Sequence, residues 1–81
     1  MKARIVVTLK NGILDPQGRA VQHSLHTLGF SSVDDVRIGK FLEMDLDESE
    51  REAAEGKIRS MCEKLLANPV IENYRYELLE S

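Results

Sequence analysis

Residues 2–10 alternate between apolar and polar side chains, and no other stretch constrains the fold as tightly. Ala3, Ile5, Val7 and Leu9 share one face, while Lys2, Arg4, Thr8 and Lys10 share the other. A period of two is the mark of a strand with one buried side, so the chain must build a sheet and cover one face of it. Val6 interrupts the polar face and implies some cover there too. Asn11-Gly12 then ends the strand with a turn signal.

The next segments supply the cover. Asp15 is placed to cap a helix and Pro16 suits its first position, where no N–H partner is needed. Val21, Leu25 and Leu28 recur at four- and three-residue steps and form the stripe expected to be buried. Gly29 closes this helix as a left-handed residue, and Phe30 falls where a Schellman motif packs it back on Leu25. Ser49 and Glu52 fit a capping box for a second helix running to about Leu66. Its buried residues should be Ala54, Ile58, Met61, Cys62 and Leu65, and Asn68-Pro69 stops it. A final strand places Tyr74, Tyr76 and Leu78 on one face.

Between the helices, Val36, Ile38, Leu42, Met44 and Leu46 keep one phase, interrupted only by Lys40. A hairpin at Gly39-Lys40 would give the ferredoxin-like β-α-β-β-α-β order. The unbroken phase favours one long strand over about 34–47, bent or bulged at Gly39. The expected architecture is therefore α+β, in the order β-α-β-α-β. It has a long central strand and two helices packed on one face of an antiparallel sheet.

Eighty-one residues form one domain, 1–81. A chain this short buries only roughly 60–65% of its unfolded surface, so its own core is thin. Cys62 has no intramolecular partner, and His23, His26 and Cys62 lack the spacing of metal ligands. The remaining source of stability is association, which points to an oligomer. A single cysteine and no signal-peptide pattern indicate a reducing, cytoplasmic setting. Eleven basic and fourteen acidic residues leave a formal charge of −3, which argues against nucleic-acid and anionic membrane partners.

No catalytic constellation is visible. His23 and His26 lie off the apolar stripe, with no neighbouring carboxylate in sequence to tune either one. Cys62 lies on a stripe beside Ile58 and Leu65, in the half of a helix that does not stabilise a thiolate. Gly12 and Gly18 match neither a P-loop nor a dinucleotide fingerprint. Glu48, Glu50, Arg51, Glu52 and Glu55 read as a solvated first helical turn. Gly18 is unusual, because a glycine inside a first helical turn costs stability. Close approach of another backbone would explain it; if that backbone is a partner's, Gly18→Ala should stabilise the isolated chain. Phe41 lies opposite Leu42 and Met44, and an exposed aromatic there marks a protein interface.

Three segments carry a resemblance. They are Gly12-Ile13-Leu14-Asp15-Pro16-Gln17-Gly18, Val36-Arg37-Ile38-Gly39-Lys40 and Asn68-Pro69-Val70-Ile71-Glu72, with Val21, Leu28, Gly29 and Phe30 between the first two. Taken in order, from about Val7 to about Glu77, they closely resemble the PurS family. The resemblance implies a small subunit of the phosphoribosylformylglycinamidine synthase of purine biosynthesis, with no catalytic, cofactor or metal residue of its own. It further implies a homodimer bridging two larger proteins. One, PurQ, is a glutaminase that releases ammonia. The other, PurL, uses ATP and Mg to place that ammonia on formylglycinamide ribonucleotide, and the small subunit assists the transfer. Gly12, Asp15, Pro16, Gln17, Gly18, Arg37, Gly39, Lys40 and Phe41 are the interface candidates.

Two other classes compete. An acylphosphatase-like hydrolase needs a phosphate-cradling loop with a committed arginine, and none occurs before Arg19. An ACT-like small-molecule module needs no catalytic residues, so residue physics alone leaves it open. Titration with amino acids separates it, since an ACT module binds them and a PurS protein does not.

Overall fold

The computed structural model describes residues 1–80. Strand β1 (Lys2–Leu9) is the middle of a three-stranded antiparallel sheet, flanked by β2 (Gly39–Asp45) and β3 (Glu72–Leu79). The alternation of β1 places Ala3, Ile5 and Val7 on the covered face, all three fully buried. The register sets Ala3 between Met44 and Leu78, and Ile5 between Leu42 and Tyr76. All four neighbours thus extend one apolar surface across the sheet.

Helix α2 (Arg51–Met61) covers that surface with Ala54 and Ile58, followed by Cys62, all fully buried. A π-helical turn over Cys62–Leu66 continues it, with the Ala67 amide donating to the Cys62 carbonyl at 2.9 Å. This wider turn changes the phase of the stripe. Ala67 becomes buried and Leu65, expected inside, is 82% exposed. The expected capping box does not form either, because the helix begins one residue later, from a Glu50 cap with no side-chain hydrogen bond.

The β-α-β-α-β order holds, with β2 shorter than the expected strand. Residues 34–38 lie outside the sheet, and Gly39 and Lys40 both belong to β2, so no hairpin interrupts it. The Ile38 amide donates to the Asp15 carboxylate rather than to a strand neighbour. At Gly39 the backbone passes so close to β1 that a Cβ would overlap the Val7 carbonyl oxygen.

Helix α1 (Pro16–Thr27) has the expected ends. Asp15 Oδ1 accepts the Gly18 amide at 2.9 Å. Gly29 has φ of +101°, its amide donates to the His26 carbonyl and the Phe30 amide to the Leu25 carbonyl, completing the Schellman pattern. Its packing departs from expectation. Only Gly18 of this helix is buried, and Val21 and Leu28 are 40% and 73% exposed. Of the two helices, only α2 covers the sheet. Helix α1 is tied instead to the coil that returns from it, by Gln22 Nε2 donating to the Asp34 carbonyl at 2.6 Å and His26 Nε2 lying 2.7 Å from the Val33 carbonyl.

The result is an elongated chain of 49 × 28 × 14 Å with a radius of gyration of 16.1 Å. A compact chain of this length would have a radius near 12 Å. An eight-residue strand spans only about 26 Å. The helix and its return coil form an arm that accounts for the difference.

Candidate interaction site

The arm is rooted at one residue. Asp15 is 7% exposed, and its two carboxylate oxygens hold different parts of the chain. Oδ1 caps α1 through Gly18, while Oδ2 accepts the Ile38 amide at 2.7 Å. Outgoing and returning chains are thereby clamped together. Arg37 adds charge to the clamp, its Nε lying 4.0 Å from Asp15 Oδ2. The Arg37 Nη2 donates to the Leu9 and Lys10 carbonyls at 2.9 and 3.0 Å, which ties the arm to the end of β1. The Gly18 and Ile38 amides, helped by the guanidinium, hold the Asp15 carboxyl below its usual range even though burial acts the other way.

Gly18 belongs to the same root. A Cβ there would overlap the Val36 carbonyl oxygen, so the close backbone inferred from sequence is that of this chain's own return coil. The expected gain in stability from Gly18→Ala is therefore reversed, because an added methyl has no room.

Beside the root lies an open cleft of about 300 Å³ that includes Asp15, Pro16, Gln17, Gly39, Lys40 and Glu72. These residues come from the three separate segments that stood out in the sequence. Lys40 Nζ donates to the Leu66 carbonyl at 3.2 Å, and Glu72 Oε1 accepts the Asn68 amide at 2.7 Å. Both charged side chains are thus oriented by backbone groups. Leu9, Ile38 and Glu72 line the cleft without having been interface candidates from sequence; membership of Ile38 in the second segment and of Glu72 in the third pointed towards it, and nothing marked Leu9.

The remaining candidates lie elsewhere. Gly12 is exposed in the turn after β1. Phe41 is 61% exposed on the uncovered face of the sheet, opposite Val6. On that face Arg4 lies between Glu43 and Glu77, with contacts of 3.0 and 3.8 Å. Cys62 is buried, and burial pushes its thiol up, the wrong direction for a nucleophile. Among the described residues no group of His, Cys, Asp and Glu is arranged to hold a metal ion, and no helix is long and apolar enough to cross a membrane. The cleft offers shape, backbone edges and two oriented charges, which suit recognition of a protein surface.

A family model described as PurS, phosphoribosylformylglycinamidine (FGAM) synthase, matches residues 2–80. The chain belongs to the PurS family. It is 52% identical over 79 residues to the phosphoribosylformylglycinamidine synthase subunit PurS of Bacillus subtilis, covering 98% of this chain and 93% of that one. A solved structure of B. subtilis PurS superposes with a TM-score of 0.87 at 52% identity, covering 98% of each chain. A chain of the solved PurLQS structure from Thermotoga maritima superposes equally well, with a TM-score of 0.87 at 29% identity and coverage of 96% and 95%. The α+β fold with its three-stranded sheet and two helices is thus the PurS fold, and the arm is held within that likeness.

Proposed function

We propose that this chain serves as the non-catalytic small subunit of phosphoribosylformylglycinamidine synthase in de novo purine biosynthesis. It bridges a PurQ-type glutaminase and a PurL-type synthetase and assists the passage of ammonia to formylglycinamide ribonucleotide. ATP and Mg are used by the synthetase, and this chain holds neither. The setting is cytoplasmic. The observation that carries this reading is the likeness over nearly the whole chain to a B. subtilis subunit of that synthase. The likeness to a chain of the T. maritima PurLQS structure supports assembly with larger subunits.

The working unit is a homodimer built on β2 and Phe41. Two features support it: the outer edge of β2 is unpaired in the strand order β2-β1-β3, and Phe41 is exposed beside it. The clamp residues Asp15 and Gly18 shape the root, and Gly12, Pro16, Gln17, Arg37, Gly39 and Lys40 form or border the surface offered to the larger subunits.

Reconstitution from three purified proteins tests the assignment. Glutamine-dependent synthesis should require this chain, whereas the synthetase should retain some activity with free ammonia. Full glutamine-dependent turnover with this chain omitted would remove the assembly role.

A further inference from the structure

The two charged side chains of the cleft, Lys40 and Glu72, both grip the end of the π-turn. Lys40 stands on β2 opposite Val7 and Glu72 on β3 opposite Leu9, so they reach the turn from the two sides of β1. Lys40 Nζ donates to the Leu66 carbonyl at 3.2 Å, at the last residue of the turn. Glu72 Oε1 accepts the Asn68 amide, and the Glu72 amide donates back to the Asn68 carbonyl, both at 2.7 Å. The exit of the turn is thereby fastened from both flanks.

The fastening has a reason. An ordinary α-helical continuation would bond the Ala67 amide to the Glu63 carbonyl instead of the Cys62 carbonyl. It would also return Leu65 to the phase of Ile58 and Cys62. The last carbonyls of a helix have no partner within it, and a cation beside them is favoured by the helix dipole. Lys40 supplies both at Leu66. The geometry points to a latch: Lys40 and Glu72 hold the turn in its π form, and a carboxylate entering the cleft releases it by drawing Lys40 away.

A carboxylate is a stronger acceptor for an ammonium than a neutral carbonyl is. The Lys40 bond lies at the surface, where such an exchange is open to it. The turn in addition walls a second surface, an apolar hollow of about 580 Å³ lined by Met44, Met61, Leu65 and Leu66. Occupancy of the polar cleft is therefore felt at the hollow, because a cleft lysine holds the Leu66 carbonyl while the Leu66 side chain lines the hollow. The latch belongs to the single chain and goes beyond the assembly role.

NMR on the labelled full chain tests it, since couplings transmitted through hydrogen bonds report which carbonyl the Ala67 amide uses. The wild-type chain should couple Ala67 to Cys62. Lys40 is exposed, so Lys40→Met leaves the sheet intact. It should shift the ratio of Cys62-bonded to Glu63-bonded forms by about fivefold or more, and the Leu65 methyl resonances should move with it. An unchanged coupling overturns the latch. Gln17→Glu tests release, because Gln17 lines the same cleft and a carboxylate suits the first turn of α1. It should shift the ratio in the same direction; no shift there would leave Lys40 a plain brace and overturn the release. Lys64→Met is the control, removing a charge from the turn itself. A shift as large as that of Lys40→Met would trace the effect to charge alone and overturn the assignment to Lys40.

Discussion

Gly18 lies directly under the Val36 carbonyl, so the first turn of α1 and the coil returning from it touch backbone to backbone. This single contact explains a glycine that helix propensity alone would disfavour.

Gly18→Ala should destabilise the chain by about 1–3 kcal/mol, as overpacking against an immobile backbone does. Gly56→Ala is the control. No neighbouring atom lies within 4 Å of the added methyl on α2, so it should stabilise by up to about 1 kcal/mol. Thermal melting of the two variants should therefore show shifts of opposite sign, and two upward shifts would dismiss the backbone contact.

Asp15 should make stability sensitive to acid. Its native-state pKa is lowered by the Gly18 and Ile38 amides, with Arg37 contributing. A lowered native value means that the stabilisation is fully present above the unfolded value, near 4, and disappears as pH falls below it towards the native value. Asp15→Asn should be less stable at pH 7, with a melting temperature lower by roughly 5–10 °C and a flatter acid limb. Denaturant midpoints measured from pH 7 to pH 3 check both. Parallel curves for the two proteins would mean that Asp15 carries none of the acid response.

Phe41→Glu should weaken self-association by at least about tenfold, because a carboxylate would be buried in the contact. The single chain should tolerate it, since Phe41 is 61% exposed there. Sedimentation at low micromolar concentration measures the effect. An intact dimer would exclude Phe41 from the interface.

Cys62 should resist alkylation in the native protein and react on unfolding. Its side chain is fully buried, and its thiol pKa is raised by burial, with Glu63 adding to the effect. Rapid labelling without loss of structure would contradict this placement.

The elements most legible in the sequence are those whose causes are local. Asp15 with Pro16, and Gly29 with Phe30, announce the ends of α1 because each cap is completed within a few residues. The alternation of β1 showed its buried face for the same reason. Readings that depended on distant chain were less complete. Gly18 revealed that a backbone approaches, but not that it belongs to Val36. The phase of residues 34–38 looked like strand, yet the side chain of Asp15 takes the Ile38 amide that a strand would have shared. Leu65 was misread because nothing in the sequence marks the π-turn that rotates it out. The α1 stripe was recognised correctly as apolar, but no alternation or spacing within one chain says that it stays uncovered there. The candidate site was legible as three segments, and their convergence became visible only once the sheet set Gly39 and Glu72 beside the root of the arm.

The order β2-β1-β3 has a consequence for how this chain comes into being. The strand that must be flanked on both sides is made before either of its neighbours, and its outermost rung joins Lys2 to Leu79. One edge of β1 therefore stays unpaired until β3, the latest of the three strands, has been made, although α2 precedes it and can already lie over Ile5 and Val7. Pairings of such large sequence separation carry a high loop-closure cost and slow folding. The latest of the three strands thus decides whether the earliest one ever sits in the middle of a sheet.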